Sequence, residues 1–396
     1  MKVLSHLVLA AFVCCLTGCQ TPELADATEE TNVIAPETNS LEPATAPEPL
    51  TAPAPAPAPP PTPAPAIAAN TNPPPAWLGV QLFIQSDDAV NALARAMPKL
   101  ASIGVNAIIV ETGYHFNFKS HPELRRGQLI TRACAKNLAA VARTNGIRLI
   151  PELDCLGHQS SKDFTHTLLA VYPQFVEPEP SHPDPKTDHL KNWCPNDPRV
   201  NPIVFDLIDE IAGAFDADAF HVGMDEIFNL ASDNCPRCKG QEPAKLLAKV
   251  VNELHAHIVV TNKLEMFMWG DRLLDSRTTG YSKWESSQTG TAGAIDLIPM
   301  DIVICDWHYS KRSTYPSVPL FLQKGFRVWP SGFKPLEDSK AFSNYTLKQR
   351  AQNPRVVGYL CTTWSLGKPE TVADWPPVVE ILKDWKSGTN PIVSSH

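Results

Sequence analysis

From Trp77 onward, the chain alternates between short apolar runs and longer amphipathic stretches. The apolar runs are typical of buried parallel strands, and the longer stretches have the i, i+3, i+4 apolar spacing of helices. We predict strands at residues 78–84, 106–111, 148–153, 219–223, 265–269, 302–306, 327–329 and 356–363. We predict helices at residues 89–103, 132–145, 200–215, 243–260, 316–323, 338–351 and 376–385, with a weaker helical pattern after Asp271.

Eight strands, each followed by a helix, predict an α/β fold of the (β/α)8 TIM barrel type over residues 76–390. A doubly wound open sheet is the alternative. The first strand lacks the glycine-rich phosphate turn expected there, so the barrel is favoured.

Composition separates this domain from a long N-terminal segment. The chain has 39 prolines, too many for a compact fold of this size. Residues 19–75 are dominated by Pro, Ala, Thr and Glu, and residues 52–66 are almost wholly Pro and Ala. We predict a disordered, extended Pro/Ala-rich tether.

The first residues have the pattern of a targeting signal. Lys2 precedes a short apolar run, and Leu16-Thr17-Gly18-Cys19 places small residues before a cysteine. This motif resembles the lipobox of bacterial lipoproteins. The resemblance implies a signal peptide at residues 1–18, lipid attachment at Cys19 and, because Gln20 follows, an outer-membrane location in the bacterial cell envelope. An ordinary secretory signal is the alternative.

The net charge is −8, and no basic run interrupts the sequence. An acidic chain of this kind argues against a nucleic-acid partner. A neutral or small substrate is more consistent with the composition.

Two adjacent acids, Asp225 and Glu226, end the apolar run at residues 219–223. Chemistry in TIM barrels takes place at the carboxyl ends of the strands. Side chains of neighbouring residues on a strand point in opposite directions, but a backbone turn allows both to reach one pocket. The alternative is a helix N-terminus, where acids suit the dipole.

Polar and aromatic residues follow most of the other predicted strands as well. They are Glu111, Tyr114, His115, Glu152, Asp154, His158, Trp269, Asp271, Asp306, Trp307, His308, Tyr309, Trp329 and Trp364. If the barrel is correct, these side chains form a cup with acids at its base and indoles on its walls. Such a cup suits a sugar ring, which offers apolar faces for stacking and hydroxyl groups for hydrogen bonds.

Two segments carry a family resemblance. Residues 221–226, His-Val-Gly-Met-Asp-Glu, resemble the His-x-Gly-Gly-Asp-Glu signature of glycoside hydrolase family 20, the β-N-acetylhexosaminidases. Residues 150–158, Ile-Pro-Glu-Leu-Asp-Cys-Leu-Gly-His, are similar to that family's Ile-Pro-Glu-Ile-Asp-Met-Pro-Gly-His segment. Order, spacing and position in the barrel agree for both motifs.

The resemblance implies an exo-acting retaining hydrolase that removes terminal β-linked N-acetylhexosamine without a cofactor. Glu226 would be the general acid and then the base, while Asp225 would stabilise an oxazolinium formed by the substrate's own acetamido group. The expected carbohydrate-binding residues are Asp154, His158, His221, Trp269, Asp271, Trp307, Tyr309, Trp329, Trp364 and His115.

The chain departs from the family pattern at four places. Leu78-Gly79 stands where the family has Arg-Gly, residues 364–366 lack the acid of Trp-x-Glu, residues 329–331 replace Tyr-Leu-Asp, and Met224 replaces a glycine. Hydrogen bonds to charged groups are worth about 1.5–3 kcal/mol each, so these losses bear on sugar preference and affinity. Candidate replacements are Glu111, His115 and Glu370.

Seven cysteines lie beyond the signal, and Cys235-Pro236-Arg237-Cys238 has the spacing of a metal knuckle. A single Cys-x-x-Cys is weak evidence for zinc. In an exported protein, a local disulfide or a bond to Cys194 is favoured, so we expect no metal. Cys305 and Cys361 lie in predicted strands, where we expect buried thiols.

Two other functions remain open. A tethered carbohydrate-binding protein with a degenerate barrel would explain the departures. A hydrolase for sugars without the acetamido group would use Asp225 as nucleophile, although adjacent acids are poorly placed for the separation of about 5–5.5 Å that this mechanism requires.

Overall fold

The computed structural model describes residues 74–364 and 368–388 as a closed barrel of eight parallel strands. Each strand pairs with the next in the sequence, and the first pairs with the last. The strands are β1 (Trp77–Phe83), β2 (Ala107–Glu111), β3 (Arg148–Cys155), β4 (Ala219–Gly223), β5 (Glu265–Trp269), β6 (Val303–Trp307), β7 (Arg327–Gly332) and β8 (Gly358–Thr362). The predicted (β/α)8 barrel is confirmed.

Helices connect the strands on the outside of the barrel. They are α1 (Asp87–Ile103), α2 (Arg132–Thr144), α3 (Thr167–Val171), α4 (Val200–Phe215), α5 (Pro243–His255), α6 (Ser276–Thr279), α7 (Ser317–Gln323), α8 (Leu336–Gln352) and α9 (Pro376–Gly388). The weak pattern after Asp271 forms a 3-10 turn and the single turn of α6, and α5 continues as a π-helical segment over Ala256–Thr261.

The strands separate two layers of apolar side chains. On β2, Ile108 packs into the large core between sheet and helices, and Ile109 packs into the barrel interior. This alternation follows from the two-residue period of a strand. Gly79 on β1 leaves room for the Trp329 indole, since a Cβ at Gly79 would lie 2.2 Å from its Cζ2.

All eight strands deliver their carboxyl ends to one mouth of the barrel. Two long loops border that mouth, residues 156–199 between β3 and α4 and residues 224–242 between β4 and α5. Pairing of β3 with β4 is irregular between Glu152 and Cys155, just before the first of these loops. The sheet therefore brings the two motif-bearing loops side by side.

All seven cysteines beyond the predicted signal are free in this structure. The expected disulfide is therefore not found. The sulfur atoms of Cys194, Cys235 and Cys238 lie close together but are not bonded. Cys194 Sγ lies 3.6 Å from Cys235 Sγ and 3.4 Å from Cys238 Sγ. Cys305 and Cys361 are fully buried, as predicted.

Three predicted features lie outside the described residues. They are the signal with Cys19, nearly all of the tether, and Leu366. Within the described residues, no helix has the length and apolar character needed to cross a membrane.

Candidate active site

The two adjacent acids lie in an irregular loop at the end of β4. Residues 224–230 form no helix, so the alternative of a helix N-terminus does not hold. The backbone is left-handed at Met224 (φ 78°) and at Glu226 (φ 49°). A left-handed backbone is costly for residues other than glycine. Here it ends the regular strand geometry, in which the side chains of Asp225 and Glu226 would point in opposite directions.

Gly223 makes this turn possible. Its φ is 65°, and a Cβ at this position would lie 2.4 Å from Oδ1 of Asp154. Only glycine combines the positive φ with so close an approach. The third residue of the His-x-Gly segment therefore keeps β4 in contact with the Asp154 carboxyl group on β3.

His158 lies between the two acids. Its Nε2 is 3.2 Å from Oδ2 of Asp225 and 3.3 Å from Oε2 of Glu226. The residue itself is left-handed, with φ 50°. One imidazole from the β3–α4 loop thus contacts both carboxylates of the β4–α5 loop.

The charges in this group stabilise one another. Burial alone would lower the pKa of His158, but the carboxylates of Asp225 and Glu226 outweigh it and raise that pKa well above the usual value. Burial alone would raise the pKa of Asp225, but the imidazolium of His158 holds it below the usual value. Near neutral pH, Asp225 is therefore ionised and His158 is protonated.

Two further carboxyl groups in the site have raised pKa values, whereas the pKa of Asp225 is lowered. Burial, together with the negative charge of Asp225, raises the pKa of Asp154 well above the usual value. Burial does the same for Glu111, and the nearby carboxylate of Asp225 adds to the effect. Both groups therefore favour the neutral form, in which a carboxyl can donate one hydrogen bond and accept others.

Glu111 is held by a residue of the first strand. Gln81 Nε2 donates to Oε2 of Glu111 at 2.9 Å. Gln81 Oε1 accepts from the backbone N–H groups of Thr363 at 3.2 Å and Trp364 at 3.3 Å. One buried amide thus links the acid at the end of β2 to the loop after β8.

A pocket of about 270 Å³ opens at these residues. Its lining combines four acids, one imidazole and four aromatic rings: Phe83, Glu111, Asp154, His158, Asp225, Glu226, Trp307, Tyr309 and Trp364. The Trp364 indole donates to the Tyr309 hydroxyl at 3.0 Å, and the rings of Trp307 and Tyr309 stack with centroids 4.9 Å apart. The aromatic wall is therefore fixed by its own contacts.

Asp271 supports the pocket from behind. Its Oδ2 accepts the backbone N–H of Glu226 at 2.9 Å and Nε of Arg272 at 2.6 Å. Its Oδ1 accepts the indole N–H of Trp307 at 3.3 Å. Burial raises its pKa to about 6 despite the adjacent guanidinium. Asp271 positions the predicted acid and one aromatic wall rather than lining the pocket.

A second buried group lies beneath the pocket in the barrel interior. His221 Nδ1 is 2.7 Å from Oε1 of Glu152, and the Trp269 indole donates to the same oxygen at 3.0 Å. All three side chains are buried, and His221 and Glu152 are fully enclosed. Neighbouring strands pair Glu152 with His221, so their interior-facing side chains meet at one level of the barrel.

The structure brings together half of the predicted carbohydrate-binding residues. Asp154, His158, Trp307, Tyr309 and Trp364 line the pocket with Asp225 and Glu226. His221, Trp269, Asp271, Trp329 and His115 do not line it.

Trp329 lies deeper than predicted because of strand register. Cys305 pairs with Trp329 and Trp307 pairs with Ser331, so Trp329 lies two residues below the level of Trp307. Its indole donates to the carbonyl oxygen of Trp77, near the start of β1. The ring therefore fills the barrel interior instead of the pocket wall.

His115 lies in the loop after β2, where Nδ1 is 3.1 Å from the carbonyl oxygen of Gln128. Of the three candidate replacements for the missing sugar contacts, only Glu111 reaches the pocket. Glu370 lines a separate hollow beside α1. Leu78, at the position of the missing Arg, is buried in the core.

Sequence reasoning missed Phe83 and Gln81. Phe83 ends β1, so the rule that strand ends carry the site could have found it. Gln81 lies inside an apolar strand, and a buried polar residue at an interior-facing position was the available signal.

Comparison with known proteins agrees with the two motifs. Residues 86–371 match the family model described as glycosyl hydrolase family 20, catalytic domain. The chain is 23% identical to a beta-hexosaminidase of Vibrio furnissii over 233 residues, which are 57% of this chain and 34% of that protein. It is 27% identical to a beta-hexosaminidase of Akkermansia muciniphila over 114 residues, 28% of this chain and 22% of that protein.

A solved structure shares the fold. The chitobiase FjGH20 of Flavobacterium johnsoniae matches with a TM-score of 0.53 at 18% identity, over 78% of this chain and 47% of that chain. The chain thus spans about a third or less of the length of these curated relatives. Since the family model covers well over half of the chain, the protein belongs to glycosyl hydrolase family 20.

Proposed function

We propose that this chain is an exo-acting retaining glycoside hydrolase that removes terminal β-linked N-acetylhexosamine by substrate-assisted catalysis. The observation that carries the proposal is the placement of Asp225 and Glu226 in one aromatic-walled pocket, with His158 between them. These two acids are adjacent in the sequence, and both line the same pocket. That arrangement suits one acid for the leaving group and one for the acetamido group.

In the first step, Glu226 donates a proton to the glycosidic oxygen as the bond from C1 to that oxygen breaks. The carbonyl oxygen of the substrate's acetamido group forms a new bond to C1 from the other face. The products are the free leaving group and a cyclic oxazolinium. In the second step, Glu226 takes a proton from water, whose oxygen attacks C1 and reopens the ring. Two inversions leave the configuration retained.

Asp225 has a different part in this scheme. Its carboxylate accepts a hydrogen bond from the acetamido N–H, which turns the carbonyl oxygen toward C1. The positive charge of the oxazolinium then develops beside an ionised group. The lowered pKa of Asp225 supports this assignment, because it keeps the carboxylate charged in a buried pocket.

The pocket supports a single terminal sugar. Its volume of about 270 Å³ is below the range of about 300–1,000 Å³ typical of sites for drug-sized ligands. Trp307 and Trp364 offer flat surfaces for the apolar faces of the ring. The carboxyl groups of Glu111 and Asp154 line the same pocket and are placed to hydrogen-bond hydroxyl groups of the sugar.

The experiment is hydrolysis of 4-nitrophenyl N-acetyl-β-glucosaminide and its galacto isomer by the full chain. We expect release of nitrophenol and a decrease of about 10²–10⁴-fold in Glu226→Gln. Glu370→Gln, an exposed acid in a separate hollow, is the matched control and retains activity. Hydrolysis of neither substrate, with both sugars still bound, would contradict the proposal and favour the carbohydrate-binding alternative.

The participating acetamido group is tested separately. Replacing the N-acetyl group by N-trifluoroacetyl weakens the carbonyl nucleophile, so we expect a slower reaction at unchanged general-acid strength. A thiazoline that mimics the cyclic intermediate should inhibit. A trapped covalent bond between a fluorinated sugar and Asp225 would instead support the direct-displacement alternative.

We also propose that the chain is held at the bacterial cell envelope, in the outer membrane, by lipid on Cys19. The motif at residues 16–19 supports export and lipidation, and the Pro/Ala-rich stretch would extend the barrel away from the membrane.

A further inference from the structure

A cluster of three thiols and one carboxylate lies beside the proposed active site and takes no part in its chemistry. The cysteine cluster consists of Glu177, Cys194, Cys235 and Cys238. One carboxylate oxygen and the three sulfur atoms all lie within 4.8 Å of one another. Glu177 is 1% exposed, and the three cysteines are fully buried. We propose that the cysteine cluster is a structural zinc site.

The sulfur separations fit tetrahedral zinc better than a disulfide. Cys194 Sγ is 3.4 Å from Cys238 Sγ and 3.6 Å from Cys235 Sγ. Four ligands at the usual Zn–S distance of about 2.3 Å would place sulfur atoms about 3.8 Å apart. A disulfide needs about 2.05 Å and uses two sulfur atoms, so one thiol and the carboxylate would remain unused.

The Glu177 carboxylate is the second, independent observation. Its Oε1 accepts the backbone N–H of Ser232 at 3.1 Å, whereas its Oε2 is buried without a hydrogen-bond partner. A buried carboxylate oxygen in this state is costly unless a cation or donor satisfies it. A zinc ion among the three sulfur atoms supplies that cation, and carboxylate oxygen is an accepted zinc ligand.

Two neighbouring side chains donate hydrogen bonds to sulfur atoms of the cysteine cluster. Arg237 Nε donates to Cys194 Sγ at 3.2 Å, and Asn196 Nδ2 donates to Cys238 Sγ at 3.7 Å. Such donors stabilise the negative charge on sulfur ligands and orient them. Binding would release three thiol protons, since Zn²⁺ takes Cys194, Cys235 and Cys238 as thiolates. Three thiolates and one carboxylate around Zn²⁺ carry two net negative charges, and Arg237 offsets one of them.

The site would join the two loops that carry the catalytic groups. Glu177 and Cys194 belong to the β3–α4 loop with His158, and Cys235 and Cys238 belong to the β4–α5 loop with Glu226. Asn229 Nδ2 reinforces this junction by donating to the carbonyl oxygen of Pro178 at 3.0 Å. One ion at this junction would fix the distance between the two loops.

Metal content is the direct test, and it does not depend on hydrolase activity. The full chain, purified without chelators, should contain about one zinc per chain by inductively coupled plasma mass spectrometry. The double variant Cys235→Ser/Cys238→Ser should lose it. Cys134→Ser, which changes a half-buried thiol on α2, should retain it. Addition of Co²⁺ to the reduced, metal-free chain should give the intense visible bands of tetrahedral thiolate-bound cobalt.

Because the double variant could fail to fold, Glu177→Gln provides a milder change. The amide keeps the shape and the Ser232 contact but loses the negative charge, so we expect zinc affinity to fall at least about tenfold in a chelator competition. Glu179→Gln, an exposed neighbour, should have no effect. A wild-type chain without zinc and without the cobalt bands, or a disulfide among the three cysteines in unreduced peptides, would overturn the proposal.

Discussion

Replacement of His158 tests whether its positive charge keeps Asp225 ionised. We choose His158→Asn, because asparagine tolerates the left-handed backbone found at this position better than any other uncharged residue except glycine does. The variant removes the imidazolium that lies 3.2 Å from Asp225 and 3.3 Å from Glu226. It changes neither carboxyl group.

The expected shift follows from the geometry. Two unit charges 3.2 Å apart attract by about 5 kcal/mol at an effective dielectric constant of about 20. This value is an upper bound on the change, because Glu226 shares the same imidazolium and water enters the space left by the ring. An opposite charge at such a distance typically moves a carboxyl pKa by about 1–3 units. We therefore expect the pKa of Asp225 to rise by that amount in the variant.

The assay is the pH dependence of kcat/KM for a 4-nitrophenyl N-acetylhexosaminide. In the wild type, Asp225 stays ionised to below its usual pKa, so we expect the limb of the profile that Asp225 sets to lie at acidic pH. In His158→Asn the acidic limb should move upward by about 1–3 pH units. Activity at the optimum should also fall, because the two acids lose the group that orients them.

His182→Asn, at an exposed loop position, is the control and should leave the profile unchanged. The stability of the protein gives a second readout without substrate. A lowered folded-state pKa of Asp225 contributes stability above pH 3.8 that is lost as the pH falls. His158→Asn should remove this contribution. An acidic limb and an acid-unfolding profile that both coincide with those of the wild type would refute the proposed coupling.

Three further predictions concern stability and location. Gly79→Ala should lower the free energy of unfolding by about 1–3 kcal/mol in chemical denaturation, because the new Cβ meets the Trp329 ring; Gly213→Ala, which has room, should not. Burial alone would lower the pKa of His308, but neighbouring carboxylates raise it to about 9. The charged His308 should therefore stabilise the fold by about 3 kcal/mol below pH 6.5, and this contribution should be lost as the pH rises through about 9. The free energy of unfolding, measured across this pH range, should not show that decline in His308→Gln. Cys19→Ser should move the chain from the membrane fraction to the soluble fraction in a bacterial host that lipidates proteins, and unchanged membrane association would contradict lipid attachment there.

The barrel and the two acids were predictable because their signals are local. An apolar run of five residues that ends in Asp225 and Glu226 indicates both a buried strand and its carboxyl end. The pocket aromatics were harder to assign, since depth in a barrel depends on pairing between strands. Trp307 and Trp329 both end apolar runs in the sequence. The strand register nevertheless places Trp307 in the pocket and places Trp329 at a level two residues deeper in the barrel. No local pattern shows that offset.

The cysteine cluster was predicted only in part, since Cys194 was expected beside the Cys-x-x-Cys pair but Glu177 was not. Cys235 and Cys238 form a visible pair in the sequence, but Glu177 and Cys194 come from a different loop. Cys194 precedes Cys235 by 41 residues and Cys238 by 44 residues. A single pair of cysteines is weak evidence for a metal site, whereas four converging ligands are strong evidence for one. Only the pairing of β3 with β4 brings the loops together, and that contact is long-range.

Backbone strain explains why those loops need support on both sides. Leu156, His158, Met224, Glu226 and Ala231 lie in these two loops, and they are five of the eight non-glycine residues with positive φ in the described part of the chain. Each such conformation costs on the order of 1–3 kcal/mol and persists only when surrounding contacts fix it. On the pocket side, hydrogen bonds and ion pairs supply those contacts. The cysteine cluster packs against Ala231, and a bound zinc ion would strengthen that packing. A barrel that placed its acids on relaxed strand ends would turn neighbouring side chains apart, so the strain is the structural condition for two adjacent acids to line one pocket.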